Sequence, residues 1–576
     1  MKMKKILLIV FISTLLVGCN GWLDVNTNHN NPGDVPIKLL LPTVELNATY
    51  ALSAGSGSLG TGLGEDLGVY THQLTTREAA NVYQADGNEY FLGNAWTSMY
   101  ATTLQNLDNI IVKAGTLDAP RYSGIAKVLK AYMYSEFVDV FGDVPFSEAN
   151  KKADGILYAK FDKGIDIYPV LFTMLDDAIT DLNNPSVLVV PTTDDLIFGG
   201  SKTKWIKTAN TIKLKLYNQM RLANNANLPA GYDLATIKSK IADLLKATTP
   251  LIGSTTDGFM FPFTSQRSPD DRNPVYSGNY EATQKTTNMS PWFFEILKGI
   301  NPLFSGIEDP RIPYYFYNQL TQTETGRDGG TPFEMFEYRV GGFVSIYFGS
   351  NGPDNGRATD KSVTVYGIYP CGGRYDEGDA LTVDGKSGTG AAPYRFLTYA
   401  DRLFIEAELI QDGVISGDAK AKLTAAMNES FKLVDYVVTN SGTTQTVPAL
   451  VGSTKTSSYI TRILNLFDAG DSKKKMEIIM TQKWISNFGN FADQYTDYRR
   501  TGYPVLFAPA PLGTVTSVTP PAGGDPDRTL PAVSVSCSRN YPRTLPWAID
   551  ELNANKNAPK QKDPATYYVF WDPTKK

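Results

Sequence analysis

The run PRYSGIAKVLKAYMYSEFVDVFG (120–142) decides the fold class. Ile125, Val128, Leu129, Tyr132, Met133, Phe137, Val140 and Phe141 recur at steps of three and four, the spacing of one broad apolar helical face. Pro120 stands in the short loop before it, and Gly142 follows the last apolar residue, where a helix C-terminus favours glycine. Leu104, Leu107, Ile110 and Ile111 give the preceding helix of a pair. Working outward, Leu171, Leu175, Ala178, Ile179 and Leu182 pair with Trp205, Ala209, Ile212, Leu216 and Met220. Ala400, Leu403, Phe404 and Ala407 pair with Leu423, Met427, Phe431 and Val434, and a fourth unit opens at Met476, Ile479, Met480 and Trp484. Repeated helix-turn-helix units of this kind predict a mainly α, tetratricopeptide-like scaffold, although long insertions break any steady period.

Ile37–Leu52 reads as a further helix, and Trp96, Trp205 and Trp484 lie on apolar helical faces, where core packing is expected. Residues 251–395 and 504–546 differ in texture, with many Gly, Pro, Asn and aromatic residues and only brief helical patterns such as Trp292–Leu297. Insertions this long are usually functional or disordered, and their aromatic content argues against disorder. The expected architecture is therefore a helical platform carrying a loop-built face.

Bulk properties narrow the function. The 576-residue chain is 42% hydrophobic, enough for a large core, and carries a formal charge of −5. Removing a leader that holds Lys2, Lys4 and Lys5 but no acid brings it near −8. Such acidity offers no footprint for nucleic acid and disfavours lying flat on anionic lipid. His29 and His72 are the sole histidines, which rules out a multi-histidine zinc site. H-E-x-x-H, P-loop and G-x-S-x-G patterns are absent, and no cofactor is implied. A helical glycoside hydrolase would need two carboxylates across a cleft, but among 59 acids such pairs prove nothing. The glycines at 55, 57 and 60 match G-x-G-x-x-G without a preceding strand, so they read as a turn. Asp270-Asp271-Arg272, Asp376-Glu377 and Asp525-Pro526-Asp527 lack the spacing of a calcium loop and read as solvated charge rather than a metal site.

The N-terminus KMKKILLIVFISTLLVGCN (2–20) has a basic start, an apolar run from Ile6 to Val17, and a small residue before Cys19. The run is too short to span a bilayer and fits a signal-peptide core. Residues 1–18 are thus expected to be a lipoprotein signal, with Cys19 as the acylated mature N-terminus. Residues 19–36, rich in Asn, would form a strap to a single helical body over 37–576. Cys371 and Cys537 are left to pair or to remain buried thiols.

Aromatic residues make up 11% of the chain, with 32 Tyr. A sugar binder needs flat rings bordered by amides and hydroxyls, and a peptide binder needs backbone hydrogen bonds and a cleft. Residues 265–297 supply Tyr276, Tyr280 and Trp292 among Asn, Gln and Thr, and residues 77–90 supply Tyr83 with Asn81, Gln84 and Asn88. These four rings are the candidate ligand contacts, against the alternative that they pack loops onto helices.

Six segments occur in one order from end to end: WLDVNTNHNNP (22–32), KAYMYSEFVDVFGDVPFSEA (130–149), GGSKTKWIKTANTIKLKLYNQMR (199–221), EDPRIPYYF (308–316), PYRFLTYADRLFIEAEL (393–409) and YPRTLPWAIDELNAN (541–555). Together they resemble the SusD/RagB family of nutrient-binding outer-membrane lipoproteins, particularly its SusD-like branch. The resemblance implies a helical domain with tetratricopeptide-like units, exposed at the cell surface of the outer membrane. It further implies a non-catalytic lid over a SusC-type TonB-dependent transporter, taking oligosaccharides or oligopeptides. The family's ligand-contacting aromatics lie in variable loops, so no binding residue transfers by motif. A pure scaffold that binds the transporter alone is the third reading. The N-terminal reading predicts that Cys19→Ala abolishes palmitate labelling, and that globomycin causes an unprocessed precursor to accumulate. Undiminished labelling of the variant would remove the anchor.

Overall fold

The computed structural model describes residues 35–55, 62–76, 83–285, 287–324, 326, 337–352, 360–375, 380–506, 516–518 and 532–575. The leader, Cys19, most of the strap, the 55–60 glycine motif from its second residue onward, Asn81, Asp376-Glu377 and Asp525–Asp527 lie outside them. Helices dominate. They include α1 (Ile37–Leu52), α2 (Gly64–Tyr70), α3 (Tyr90–Thr97), α4 (Gln105–Leu117), α5 (Pro120–Phe141), α6 (Gly164–Asn183), α7 (Lys202–Met220) and α8 (Leu234–Leu244). Later in the chain come α9 (Pro291–Lys298), α10 (Tyr399–Gln411), α11 (Ala419–Asn440), α12 (Thr454–Ala469), α13 (Ser472–Ser486) and α14 (Phe491–Thr501). No described helix is long and apolar enough to cross a membrane.

The expected pairs form: α4 packs on α5, α6 on α7, and α10 on α11. Pro120 sits in the first turn of α5, and Gly142 ends it at φ 81°, its N–H donating to the Val138 carbonyl at 2.8 Å. Any Cβ at Gly142 would lie 2.7 Å from the Tyr567 ring, so both conformation and space require glycine. Two features depart from the sequence expectation. First, α5 is buried on every side from Ala131 to Phe141, because α1, α4, α6, α7 and α14 all pack on it. Its single apolar face therefore describes only its first half. Second, the fourth unit opens one helix earlier than Met476, with α12, which packs on both α11 and α13. The buried face of α12 (Tyr459, Ile460, Ile463, Phe467) is narrow and flanked by Thr and Ser, as is the Ile237, Ile241, Leu244 face of α8.

Burying the second half of α5 brings Glu136 and Asp139 inside, and they are paired there. Lys215 of α7 meets both Glu136 of α5 and Asp493 of α14. Burial still pushes the Glu136 carboxyl up, to about 8, against the pull of Lys215. Glu408 of α10 lies between Arg221, just past α7, and Arg500 of α14. Arg500 also binds Asp497 at 2.8 Å, and Asp497 binds Lys483 of α13 at 2.7 Å. Burial alone would raise the Glu408 carboxyl; Arg500 and Arg221 reverse this and hold it well below the ordinary carboxylate range. Asp139 of α5 accepts hydrogen bonds from Tyr168 and from the Trp571 indole, the latter at 2.7 Å. Six helices and the C-terminal segment are thereby joined through buried polar groups. Trp96, Trp205 and Trp484 take the core positions expected of them.

The insertions contain short helices and two-stranded ribbons rather than a continuous sheet. Strand β1 (Leu74–Thr76) pairs antiparallel with β3 (Thr287–Met289), register Leu74 to Met289. Strand β2 (Phe259–Phe261) pairs with β6 (Tyr394–Leu397), and β4 (Tyr338–Val340) forms a hairpin with β5 (Phe343–Ser345). Among the described residues Cys371 and Cys537 are both free and buried, so they do not pair, and burial pushes the Cys371 thiol up to about 12.

Glu408→Gln leaves Arg221 and Arg500 buried beside a neutral partner, and is expected to cost about 3–5 kcal/mol. Urea unfolding followed by helical circular dichroism checks this; a loss under about 1 kcal/mol would mean that solvent screens the cluster.

Candidate ligand-binding face

Short strands satisfy few backbone groups, so the loop-built face needs other partners for its carbonyls and amides. Buried side chains supply them. The Arg339 guanidinium of β4 donates to the carbonyls of Gly341, Glu324, Thr321 and Gln322, at 2.6–2.9 Å. Gln319 donates to the carbonyls of Asp360 and Val363 and accepts from the Val383 amide. The Tyr317 hydroxyl bonds both the amide and the carbonyl of Leu381. Each is a polar side chain acting as a substitute strand.

Helix α9 carries Trp292, one of the four candidate rings, and its attachment runs from the scaffold outward. The Gln73 side chain donates to the Trp484 carbonyl at 2.6 Å, and the Trp484 indole donates to the Thr71 carbonyl at 3.1 Å. The Gln73 carbonyl accepts from Ser290, the residue before α9, and β1 pairs with β3 alongside. Ser345 of β5 donates to the Met289 carbonyl at 2.5 Å. Of the three consecutive rings that open α9, Phe293 and Phe294 turn inward. Phe293 meets Trp484 edge-on at 4.9 Å and Phe488 at 5.0 Å, and Phe294 stacks on Phe343 at 3.9 Å and 14°. Fixing those two leaves Trp292 on the remaining side of the turn, half-buried. Glu295 lies three residues on, on the same helical face, and is also half-buried. The Tyr338 hydroxyl donates to Glu295 at 3.1 Å, and burial lifts the Glu295 carboxyl to about 7 despite that bond. An indole with a near-neutral carboxyl one turn away can cover an apolar face and hydrogen-bond a hydroxyl or amide beside it.

The other candidate rings are placed differently. Tyr276 is 0% and Tyr280 2% exposed, stacked on each other at 4.7 Å and 11°. Tyr276 donates to the Gly388 carbonyl, and Tyr280 donates to the Tyr366 carbonyl while accepting from the Arg374 amide. A Cβ on Gly373 would stand 2.2 Å from the Tyr280 ring and one on Gly388 2.9 Å from the Tyr276 ring, so these two glycines are moulded over the tyrosines. Their ring faces are covered and their hydroxyls engaged, which is the loop-packing role. Tyr83 is buried too, against Phe348 at 4.7 Å and Tyr541 at 5.5 Å. Gln84 and Asn88 beside it are exposed. Of the four rings, Trp292 alone keeps a partly open surface. Asp270 is held by Arg272, which also binds Glu281 at 2.7 Å, so that acidic cluster is an arginine-bridged clasp. Glu295 was not singled out in the sequence; its position three residues after an indole was the available signal.

His72 lies beneath this face, its Nε2 sharing a 3.0 Å hydrogen bond with the Tyr83 hydroxyl and its ring 4.5 Å from Phe348. His72 and Tyr83 both adopt left-handed backbone, at φ 55° and 58°, which for non-glycine residues stores strain. Burial lowers the His72 pKa from 6.5 to about 3, so the folded state holds it neutral. The unfolded chain takes up the proton first, so this contribution is intact above pH 6.5 and is lost as pH falls from 6.5 towards 3. Stability should fall by on the order of 1 kcal/mol per pH unit in that window, and His72→Gln should flatten the slope. Unfolding titrations at pH 7, 6, 5 and 4 measure it; equal slopes in both proteins would contradict the assignment.

Comparison with known proteins supplies the family. Residues 46–522 match a SusD-like family described as starch-binding and associating with the outer membrane. No curated protein sequence matches. Solved structures share the fold at low identity. A SusD/RagB family protein from Bacteroides thetaiotaomicron gives a TM-score of 0.64 at 17% identity, covering 94% of this chain and 99% of its own. A SusD homolog from Bacteroides fragilis gives 0.63 at 19%, with 94% and 99% covered. A chitin-binding SusD homolog from Flavobacterium johnsoniae gives 0.61 at 16%, with 93% and 98% covered. With most of its length matched and its helical scaffold shared, this chain belongs to the SusD-like family.

Proposed function

We propose that this protein captures nutrient oligomers outside the cell, oligosaccharides foremost, and hands them to a SusC-type TonB-dependent transporter as its lid. Family membership over residues 46–522 is the observation that carries the proposal, since the family is described as starch-binding at the outer membrane. A structurally similar homolog is described as chitin-binding, which favours glycan over peptide cargo. Acylation at Cys19 would tether the protein to the membrane while its helical platform docks on the barrel. Ligand would be held beneath the loop-built face, with the Trp292 indole over a sugar ring and Glu295 hydrogen-bonded at its edge. Closure must favour bound over free ligand, because a ligand indifferent to lid position cannot drive it.

Calorimetry with starch and chitin fragments and a mixed peptide digest tests the cargo. Glycan binding is expected, and Trp292→Ala should weaken it at least about tenfold, the scale of one central aromatic contact. Heat from the digest alone would replace sugar with peptide, absence of heat from any ligand would favour a scaffold role, and turnover would revive a hydrolase. An affinity tag on the protein should recover a TonB-dependent barrel from solubilised outer membrane. A clean monomer from membranes containing that barrel would refute the lid.

A further inference from the structure

Large aliphatic side chains are left open at one end of the scaffold. A groove of about 820 Å³ is lined by Ile37, Val112, Leu117, Leu188, Val189 and Val190, from the start of α1, the end of α4 and the loop after α6. Leu188 is 76% and Val112 71% exposed; Leu117 is exposed too, as are Leu39 and Val187, neighbours in sequence of lining residues. Scattered exposed aliphatics are ordinary, but a concentration of them along one groove marks a contact surface. The polar groups of the floor already have partners. The Tyr122 hydroxyl donates to Asp194 at 2.6 Å, and the other Asp194 oxygen accepts from the Thr192 amide at 2.9 Å. A sugar or peptide backbone would find little to bond there; hydrocarbon loses nothing. Lys38 stands at the rim, with a stem long enough to lie along apolar surface while its ammonium group reaches phosphate.

Position in the chain identifies the occupant. Pro36 also lines the groove, and it follows Cys19 by 17 positions. Fully extended, that length spans at most about 60 Å, so an acyl group on Cys19 keeps the groove within that reach of a bilayer and raises its effective concentration there. We infer that this groove is a lipid-docking surface: its aliphatic rim inserts into the outer leaflet next to the acylated N-terminus and fixes how the platform stands on the membrane. The inference rests on the reading of Cys19 as an anchor. The overall acidity of the chain confines contact to this patch and makes hydrocarbon, not charge, its source of attraction. Helix α1, 16 residues and about 24 Å long, then separates the lipid contact from the opposite end, where the Ser53 carbonyl accepts from Gly64 at the start of α2 and the path to α9 begins. The groove end stays down, and the loop-built end is free to move.

The test uses the full-length lipidated protein, acylation verified by intact mass, in zwitterionic phosphatidylcholine vesicles. A polarity-sensitive fluorophore is placed at Leu188→Cys, at Val112→Cys, or at Val451→Cys, an exposed position on the α11–α12 loop. Emission at 188 and 112 should shift to the blue and be quenched at least about twofold by lipids brominated in the acyl chain, with position 451 unchanged. Unshifted emission at 188 and 112 in acylated protein overturns the docking surface while leaving the anchor intact. Absence of acylation at Cys19 overturns the anchor, and the inference with it. A blue shift already present in lipid-free Cys19→Ala protein would assign the groove to the strap. A shift that appears only when the transporter is added would assign it to a protein partner. Either result overturns lipid docking.

Discussion

Charge buried between helices is the constraint on which this structure depends. Glu408 between Arg221 and Arg500, and Lys215 between Glu136 and Asp493, bring α5, α7, α10 and α14 to one place at one register. Aliphatic packing would tolerate sliding of one helix past another, because a leucine is satisfied by any apolar neighbour. A buried carboxylate is not: removing it from its guanidinium by a helical turn leaves both desolvated and unpaired. Asp497 extends the cluster to Lys483 of α13, so the last helical unit is held by the same chain of charges. The platform gains a defined geometry from groups whose net contribution to stability is small.

The loop-built face obeys a different rule. Its ribbons are two to four residues long and cannot satisfy their own backbone, so Arg339, Gln319 and Tyr317 bond carbonyls and amides that would otherwise be bare. Aromatic residues are abundant there for the same reason. The stacked Tyr276 and Tyr280 fill volume and their hydroxyls close polar gaps, a combination that aliphatic residues cannot provide. Aromatic density thus reports mainly on how the insertions are held together. Trp292 stays partly open because the two rings after it are committed to the core.

Helices with a wide apolar stripe were legible in the sequence, and Ile37–Leu52 agrees residue for residue. Those with narrow faces, α8 and α12, were not, because three or four apolar residues among Ser, Thr and Lys do not rise above loop composition. The burial of the second half of α5 on every side was hidden as well: Glu136 and Asp139 lie off the apolar spacing, and their partners Lys215 and Trp571 are 79 and 432 residues away. For the face, the sequence singled out the 265–297 segment but could not rank its rings. Whether Tyr280 is open or covered depends on a loop about 90 residues further on, whose Gly373 leaves room for the ring. Local spacing carries no information on such a contact, whereas the placement of Glu295 one turn from Trp292 is a local fact and was there to be read.

The bond from the Trp571 indole to Asp139 has a consequence for the order in which the molecule is made. Asp139 belongs to the central helix, yet one of its partners emerges from the ribosome hundreds of residues later. Until then the carboxylate has Lys215 and the Tyr168 hydroxyl to offset its burial, which pushes its pKa up to about 6 even with the Trp571 indole in place. The middle of the scaffold therefore has a reason to stay loose while synthesis continues and to consolidate when the far segment arrives. Full satisfaction of that carboxylate thus waits on the C-terminal segment.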